Sequence, residues 1–387
     1  MTMGTDEARA YLWELQAQIA QARGPRRRHT QEKFREDQLE ALRRMRPRLT
    51  EEEASRAAKL QVTTQEHWPP LGPDEYPGAH WIIHTLADRL EKHLDISFTR
   101  PVLGFLATGE VNAVTMLAPG SRTHLVVFED ELLSFTDRFS KAVALAIPIE
   151  GVQGDKVAFS LDPDKVRRHL QNSPDAVRRF REVVLAYLLD GEPGAAPTYE
   201  LPRGPHKLAH ILKDGMELFV LGHEYGHALS GHLSNQNAPR RMLGTAEADV
   251  TEVTWRWDQE NAADIIGVAL CAQAMSEEHG LVLPHAGIEL FFCACEVLER
   301  ALSLLMTGRN DLRPPSPTHP PTPSRRDFVR SYLRDAMKEG AGPPLQLGAV
   351  IHEVVNILWT HTAPAILDLH RKGVAPDPRW TANLKNP

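Results

Sequence analysis

The sequence predicts an α+β fold that is predominantly helical, with one small β-sheet. Long segments with apolar residues at helical spacing dominate the second half of the chain, at 206–233, 258–277, 285–307, 326–338 and 346–362. Strands are predicted from three short apolar and β-branched runs, at 102–107, 112–117 and 125–128. Of the 387 residues, 42% are apolar and 25% are charged, which is typical of a globular protein.

The N-terminal residues 1–60 are predicted to form a charged helical arm. The apolar stripe there is weak, with Leu12, Leu15 and Ile19 as its members, and a basic patch extends from Arg26 to Arg48. A solvated arm is the favoured interpretation, and a contact surface for an acidic partner or nucleic acid is the alternative. The net charge of −7 argues against nucleic acid as the partner of the whole molecule.

Further helices are predicted around and after the strands, at Trp81–Leu94, Leu132–Leu145 and Asp175–Leu189. A short hairpin is predicted around Gly154. The proline-dense segment Arg313–Arg325 is predicted to be unable to hold a helix, because proline removes a backbone donor and clashes with the preceding turn.

The N-terminal sequence, the lack of a predicted membrane span and the cysteine count together predict a cytoplasmic protein. The N-terminus carries acidic residues where a secretory signal has a basic start and an apolar run, and no membrane span is predicted. Three cysteines, Cys271, Cys293 and Cys295, are an odd number that argues against a disulfide framework. They are expected to be buried thiols in a reducing environment.

The chemistry-bearing motif is His223-Glu224-Tyr225-Gly226-His227. On a helix, positions i and i+4 lie on one face, so both imidazoles can bind one metal ion. Glu224 is placed to accept a proton from a water held by that metal. The apolar residues on either side of the motif predict a buried helix that carries a polar site.

A third ligand is predicted in the next helix, at Glu260-Asn261-Ala262-Ala263-Asp264. Glu260 and Asp264 are also four residues apart, so one carboxylate can bind the metal while the other accepts a ring N–H of a ligand histidine. The small residues Ala262 and Ala263, with Gly267 beyond, would allow close helix packing. His232 is a weaker candidate, because its position five residues after His227 rotates it away from the metal-facing side.

Three segments together resemble the gluzincin metallopeptidases, in particular the family of HtpX-type and CAAX-prenyl endopeptidases. The first segment runs from Asn112-Ala113 through the strand Leu125–Phe128 to Leu132-Leu133. The second combines His223–His227 with Glu260-x-x-Ala263-Asp264, and the third is His319-Pro320-Pro321-Thr322-Pro323-Ser324-Arg325.

The resemblance implies a zincin-like active-site helix packed beside the small sheet, with the third ligand on a following helix. It implies one Zn²⁺ ion on His223, His227 and Glu260, with Glu224 as the general base and Asp264 behind a ligand. It further implies that His319 and Arg325 flank the cleft, where they either stabilise an oxyanion or hold their loop against the site. On this basis residues 61–387 are expected to form a metallopeptidase domain, with an insertion at 145–205.

These features predict a zinc metallopeptidase that acts on polypeptides. Two alternatives stay open, a regulatory or binding protein that keeps a structural zinc, and a zinc amidase or esterase with a non-protein substrate. Many members of the family carry membrane helices and this chain has no predicted span, so membrane-protein substrates are not expected.

Overall fold

The computed structural model of the protein describes residues 3–23, 36, 39–40, 43, 50–56, 68–72, 75–94, 98–107, 111–120, 122–153, 156–160, 162–231, 240–242, 251–253, 257–312 and 320–382. The described part is predominantly helical with a small sheet, so the predicted fold class is confirmed. Its helices are α1 Met3–Arg23, α2 Pro77–Glu91, α3 Asp130–Ala146, α4 Pro163–Asn172, α5 Pro174–Leu185, α6 Arg203–Leu229, α7 Trp257–His279, α8 Leu283–Thr307, α9 Thr322–Met337, α10 Gly342–Arg371 and α11 Pro378–Ala382.

The strands form a three-stranded sheet and two short hairpins. The sheet consists of β1 Val102–Leu106, β2 Ala113–Leu117 and β3 His124–Glu129, in the order β1-β3-β2. β1 runs parallel to β3, whereas β2 runs antiparallel to it and lies at one edge. The hairpins are β4 Ile149–Gln153 with β5 Lys156–Phe159, and β6 Arg240–Met242 with β7 Thr251–Val253.

Helix α1 covers one face of the sheet. Leu12, Leu15 and Ile19 are buried in one apolar cluster with alternate residues of the strands, among them Val114 and Val127. This differs from the solvated arm expected for residues 1–60, because a stripe that is weak by sequence still matches an apolar sheet face. Most of the basic patch Arg26–Arg48 lies outside the described residues, and the domain division at residue 60 stays a prediction.

The other face of the sheet packs against α2, α3 and the long helix α6. The second half of α6 is buried, since every residue from Leu218 to His227 has little exposed surface. Helices α7 and α8 contact α6, and α10 packs on α8. The motif helix therefore lies at the centre of the fold, with its polar residues protected from bulk solvent.

The region predicted as an insertion, 145–205, packs away from the motif. Its residues Val166, Phe180 and Val184 join a core cluster with α3, α8 and α10. Among the residues that the structure describes, none from 145–205 lines the cleft beside the motif. Whether this region is an insertion stays a prediction.

Helix α9 begins within the segment predicted to be non-helical. The helix extends from Thr322 and therefore includes Arg325, with Pro323 in its first turn. Proline is tolerated there because the first backbone N–H groups of a helix have no intrahelical partner. The prediction that Arg313–Arg325 holds no helix is wrong for its last four residues.

Helices α6 and α7 approach closely, as the small size of Ala262, Ala263 and Gly267 predicts, and the close contacts are at Ala263 and Gly267. A Cβ atom added at Gly267 would lie 2.8 Å from the backbone nitrogen of His223, and one added at Gly226 would lie 2.8 Å from the Cα atom of Ala263. Both distances are too short for a side chain. Any residue larger than glycine would therefore push the two helices apart.

Gly267→Ala is expected to destabilise the fold by about 1–3 kcal/mol, the usual cost of forcing atoms into a well-packed interior. It should also weaken metal binding, because His223 lies on one helix and Glu260 on the other. Urea unfolding measures the first effect and a metal-binding titration the second. Gly342→Ala is the control, since its added Cβ meets no atom within 4 Å. Equal stability of the two variants would contradict the packing interpretation.

The three cysteines are free thiols in α7 and α8; Cys271 and Cys293 are buried, as predicted, whereas Cys295 is only partly buried. Burial raises the pKa of Cys271 and Cys293 well above the usual range and that of Cys295 to about 12. None of the described helices is both long enough and apolar enough to cross a membrane.

Candidate metal centre

Two imidazole rings on consecutive turns of α6 point to one position. The Nε2 atoms of His223 and His227 lie 3.2 Å apart, and their rings are nearly perpendicular. The i and i+4 spacing on an α-helix explains this geometry, because the two side chains lie one above the other on the same face. Both residues are buried, with 8% and 1% exposure respectively.

The carboxylate of Glu260 lies against both rings. Its Oε1 atom is 3.5 Å from Nε2 of His227, and its Oε2 atom is 3.8 Å from Nε2 of His223. Helix α7 brings Glu260 there by packing on α6 through the close contacts at Gly226 and Gly267. His223, His227 and Glu260 form a buried group that could hold a metal ion.

The spacing and chemistry of this donor set fit zinc. Tetrahedral zinc with metal–ligand bonds of about 2.0–2.1 Å separates its ligand atoms by about 3.4 Å. The two Nε2 atoms are 3.2 Å apart, and they lie 3.5 and 3.8 Å from Glu260, each from a different oxygen of that carboxylate, so the group has about this span. Two imidazole nitrogens and one carboxylate oxygen are also a ligand set of catalytic zinc sites, in which a fourth position stays open.

Asp264 lies behind His223 and is the hydrogen-bond partner of its ring Nδ1. The Oδ1 atom is 2.9 Å from Nδ1 of His223. An ionised carboxylate only accepts hydrogen bonds, so this contact assigns the ring hydrogen to Nδ1 and leaves the Nε2 lone pair directed at the metal position. Glu260 thus faces both rings, whereas Asp264, on the same face of α7, contacts the opposite nitrogen of the His223 ring.

Arg325 forms a two-point ion pair with Asp264. Its Nη2 and Nε atoms donate to the two carboxylate oxygens at 2.6 and 2.8 Å, and its Nη1 atom lies 3.7 Å from Oε2 of Glu260. Burial favours the neutral acid, but the guanidinium and the ring N–H of His223 together keep the pKa of Asp264 below its usual range. The arginine thus keeps Asp264 ionised and ties α9 to α7.

Glu224 lines the same small cleft as the three metal-binding candidates. The space inside measures about 60 Å³, enough for an ion and a few small ligand atoms. Its walls are otherwise largely apolar, formed by Leu132, Val220, Phe219, Phe291 and nearby residues of β2. These walls place Glu224 and the three candidate ligands in a largely apolar environment, where electrostatic interactions are stronger than in water.

A contact from the sheet reaches Glu224. The hydroxyl of Thr115, on the edge strand β2, lies 2.7 Å from Oε2 and 2.9 Å from the backbone oxygen of Glu224. Thr115 was not among the predicted site residues. The signal in the sequence was a single hydroxyl in the otherwise apolar strand Ala113–Leu117, because a buried polar side chain needs a hydrogen-bond partner.

The structure describes the positions of most of the predicted site residues, but not of all of them. His223, Glu224, His227, Glu260, Asp264 and Arg325 are brought together around one cleft. His319 and the rival ligand His232 lie outside the described residues. The proposed oxyanion role of Arg325 stays a prediction, whereas its contact with Asp264 agrees with the alternative of holding its segment against the site.

Other arginines of α9 fasten this helix to α8. Arg330 donates to both oxygens of Glu289 at 2.6 and 3.1 Å, and Arg326 lies 2.5 Å from Glu296. All four side chains are largely buried. This ionic contact sets the position of α9 and hence the direction of Arg325.

Beside these ion pairs lies a buried histidine, His285, which provides a pH-dependent prediction. Burial, with a smaller effect from Arg330, lowers the pKa of His285 from 6.5 to about 4. Below pH 6.5 the unfolded chain therefore binds this proton more readily than the folded protein does. The stability that the neutral ring contributes is complete above pH 6.5 and is lost as the pH falls towards 4.

We expect the free energy of unfolding to fall by about 2 kcal/mol between pH 7 and pH 5 through His285 alone. Urea unfolding at both pH values measures the change. In His285→Gln the change between the two pH values should be smaller by this amount. His361→Gln, at an exposed position of α10, is the control and should behave as the wild type. An unchanged pH dependence in His285→Gln would refute the assignment.

Comparison with known proteins found no matching family model, no similar curated protein and no similar solved structure.

Proposed function

We propose that the protein is a zinc-dependent metallopeptidase, with His223, His227 and Glu260 as ligands of one zinc ion. The observation that carries the proposal is the convergence of two imidazole nitrogens and one carboxylate in a buried cleft that Glu224 also lines. The hydrogen bond from His223 to Asp264 supports it, because ligand histidines commonly donate their other ring N–H to a carboxylate.

Each side chain has a distinct task in this proposal. Bound zinc would lower the pKa of a water molecule towards neutrality and polarise the scissile carbonyl group. The carboxylate of Glu224 accepts the proton of the attacking water and delivers it to the leaving nitrogen. Asp264 holds the ring of His223 in one tautomer, and Arg325 holds Asp264.

A structural zinc in a regulatory protein is the first alternative. Structural zinc sites are closed by four protein ligands, whereas the described residues supply three at this position. A structural site also has no use for the carboxylate of Glu224 in the cleft. These two features favour a catalytic role over a structural one.

An amidase or esterase with a non-protein substrate is the second alternative. It would use the same groups, so the substrate assay must separate it from a peptidase. The polypeptide substrate, the acidic partner of the Arg26–Arg48 patch and the cytoplasmic location all stay predictions.

The test combines metal analysis with a protease assay. Purified wild-type protein should contain about one zinc per chain, and His223→Ala should contain far less, because two protein ligands remain. Wild-type protein should cleave unfolded casein, and a zinc chelator should stop the cleavage. Zinc binding without casein cleavage would reject the peptidase, and absence of stoichiometric metal from the wild type after zinc loading would reject the centre itself.

A further inference from the structure

Thr115 is a hydroxyl-bearing residue in a strand whose other members are apolar. Its neighbours Val114 and Met116 face α1 and belong to the apolar cluster there. Strand residues alternate between the two faces of a sheet, so Thr115 faces α6, together with Ala113. The side chain is 1% exposed, and among the residues that the structure describes its hydroxyl hydrogen-bonds to Glu224 alone.

The geometry of this contact constrains the carboxylate of Glu224. One Thr115 hydroxyl lies 2.7 Å from Oε2 and 2.9 Å from the backbone oxygen of the same residue. A hydroxyl carries a single hydrogen, so the two oxygens share it. The hydroxyl contacts both the backbone oxygen and the carboxylate of Glu224. Only a few rotamers of the Glu224 side chain place the carboxylate within reach of this hydroxyl.

The donor itself is held firmly. Thr115 is paired with Val126 of β3, and β-branched side chains have few accessible χ1 rotamers. A glutamate side chain, by contrast, has three rotatable bonds and loses much freedom when it is held in one geometry. The strand therefore provides a rigid reference point for a flexible side chain on the helix.

We propose that Thr115 is a positioning residue that holds the carboxylate of Glu224 in its proton-accepting orientation. This inference rests on the proposed function of Glu224 as the general base. Because Thr115 acts through Glu224, its removal should affect the chemical step more than substrate binding. Misplacement of a reacting group by about 1 Å can cost about 100-fold in rate.

Two substitutions separate the hydroxyl from the shape of the side chain. Thr115→Val keeps the shape and removes the hydroxyl, whereas Thr115→Ser keeps the hydroxyl and removes a methyl group. With casein as the substrate, Thr115→Val is expected to lower kcat by about 10–100-fold with KM within about twofold of wild type. Thr115→Ser should restore most of kcat. A wild-type kcat in Thr115→Val, or equal loss in both variants, would overturn the proposal.

The structure offers a matched control in Thr136. Its hydroxyl, on α3, lies 2.7 Å from Oε1 of Glu217, another buried carboxylate of α6. Thr136→Val therefore removes the same kind of buried hydrogen bond from the same helix, outside the cleft. It should lower stability and leave kcat unchanged, and an equal fall of kcat in Thr136→Val would show that the effect of Thr115→Val is merely structural.

A binding measurement tests the same inference without turnover. Under the proposed function, acetohydroxamate should bind to the metal of Co²⁺-loaded protein and hydrogen-bond to Glu224, and the visible absorption of cobalt would report its affinity. We expect Thr115→Val to weaken the hydroxamate affinity about tenfold and to leave the cobalt content unchanged. Loss of a residue that orients a group at a metal site typically has an effect of this size. Thr115→Ser should restore the affinity. If Thr115→Val does not fold, Thr115→Ala replaces it in the comparison with Thr115→Ser.

The two readouts distinguish failure of the inference from failure of the proposed function. Weaker hydroxamate binding in Thr115→Val, with no casein cleavage by the wild type, would reject the peptidase and retain the positioning role. Metal-dependent casein cleavage by the wild type, with kcat and hydroxamate affinity unchanged in Thr115→Val, would reject the positioning role and retain the peptidase.

Discussion

Replacement of Glu224 by glutamine is expected to lower kcat by about 10²–10⁴-fold while the metal stays bound, since general acid–base groups contribute about this much. The amide has nearly the shape of the carboxylate but cannot accept the proton. Zinc content should be unchanged, because Glu224 is not among the three residues that could hold the ion. Metal analysis and casein hydrolysis on the same preparation measure both quantities.

His223→Ala provides the contrast to Glu224→Gln. It removes one of the three candidate ligands, so the metal content and the turnover should fall together. Undiminished proteolysis in metal-loaded Glu224→Gln would contradict the role of Glu224 and leave the metal site intact. Loss of metal in Glu224→Gln would instead mean that this residue belongs to the ligand set.

Asp264→Asn is expected to lower the free energy of unfolding by about 3–5 kcal/mol, because it leaves the charge of Arg325 buried without its main partner. Asp264 is completely buried and forms a two-point contact with this arginine. Metal affinity should also fall by about 10–100-fold, because the ring of His223 loses the carboxylate that orients it. Urea unfolding and competition with a zinc chelator measure the two effects.

A control variant and a double variant test the physical reason given for the effect of Asp264→Asn. Asp327→Asn removes an exposed acid of α9 that lies 3.7 Å from Arg330, and it should change stability by less than about 0.5 kcal/mol. In Asp264→Asn combined with Arg325→Met, part of the lost stability should return, since no unpaired charge remains. Wild-type metal affinity in Asp264→Asn would refute the orienting role of Asp264.

Much of the fold could be predicted from periodicity. The predicted segment 285–307 agrees with α8, which ends where Gly308 adopts a left-handed conformation with φ of 71°. The strand prediction 112–117 agrees within one residue with β2. These elements have strong apolar patterns and clear boundaries, so local sequence is sufficient to define them.

Other features depended on contacts between distant segments. The stripe Leu12, Leu15 and Ile19 is too weak to predict burial, and only the apolar face of the sheet shows why α1 packs there. Proline density predicts no helix at Thr322, but α9 begins there because a first helical turn tolerates proline. The contact of Thr115 with Glu224 joins residues 109 positions apart, which no local pattern reveals.

The sequence by itself determined the chemistry of the candidate centre, because the spacing of His223 and His227 on a helix places both rings on one face whatever surrounds them. It also limited the partner carboxylate to Glu260 or Asp264. Only the tertiary structure decided that Glu260 faces both rings while Asp264 lies behind His223. The physical reason is the close packing of α6 on α7 at Gly226 and Gly267, which sets the register of one helix along the other.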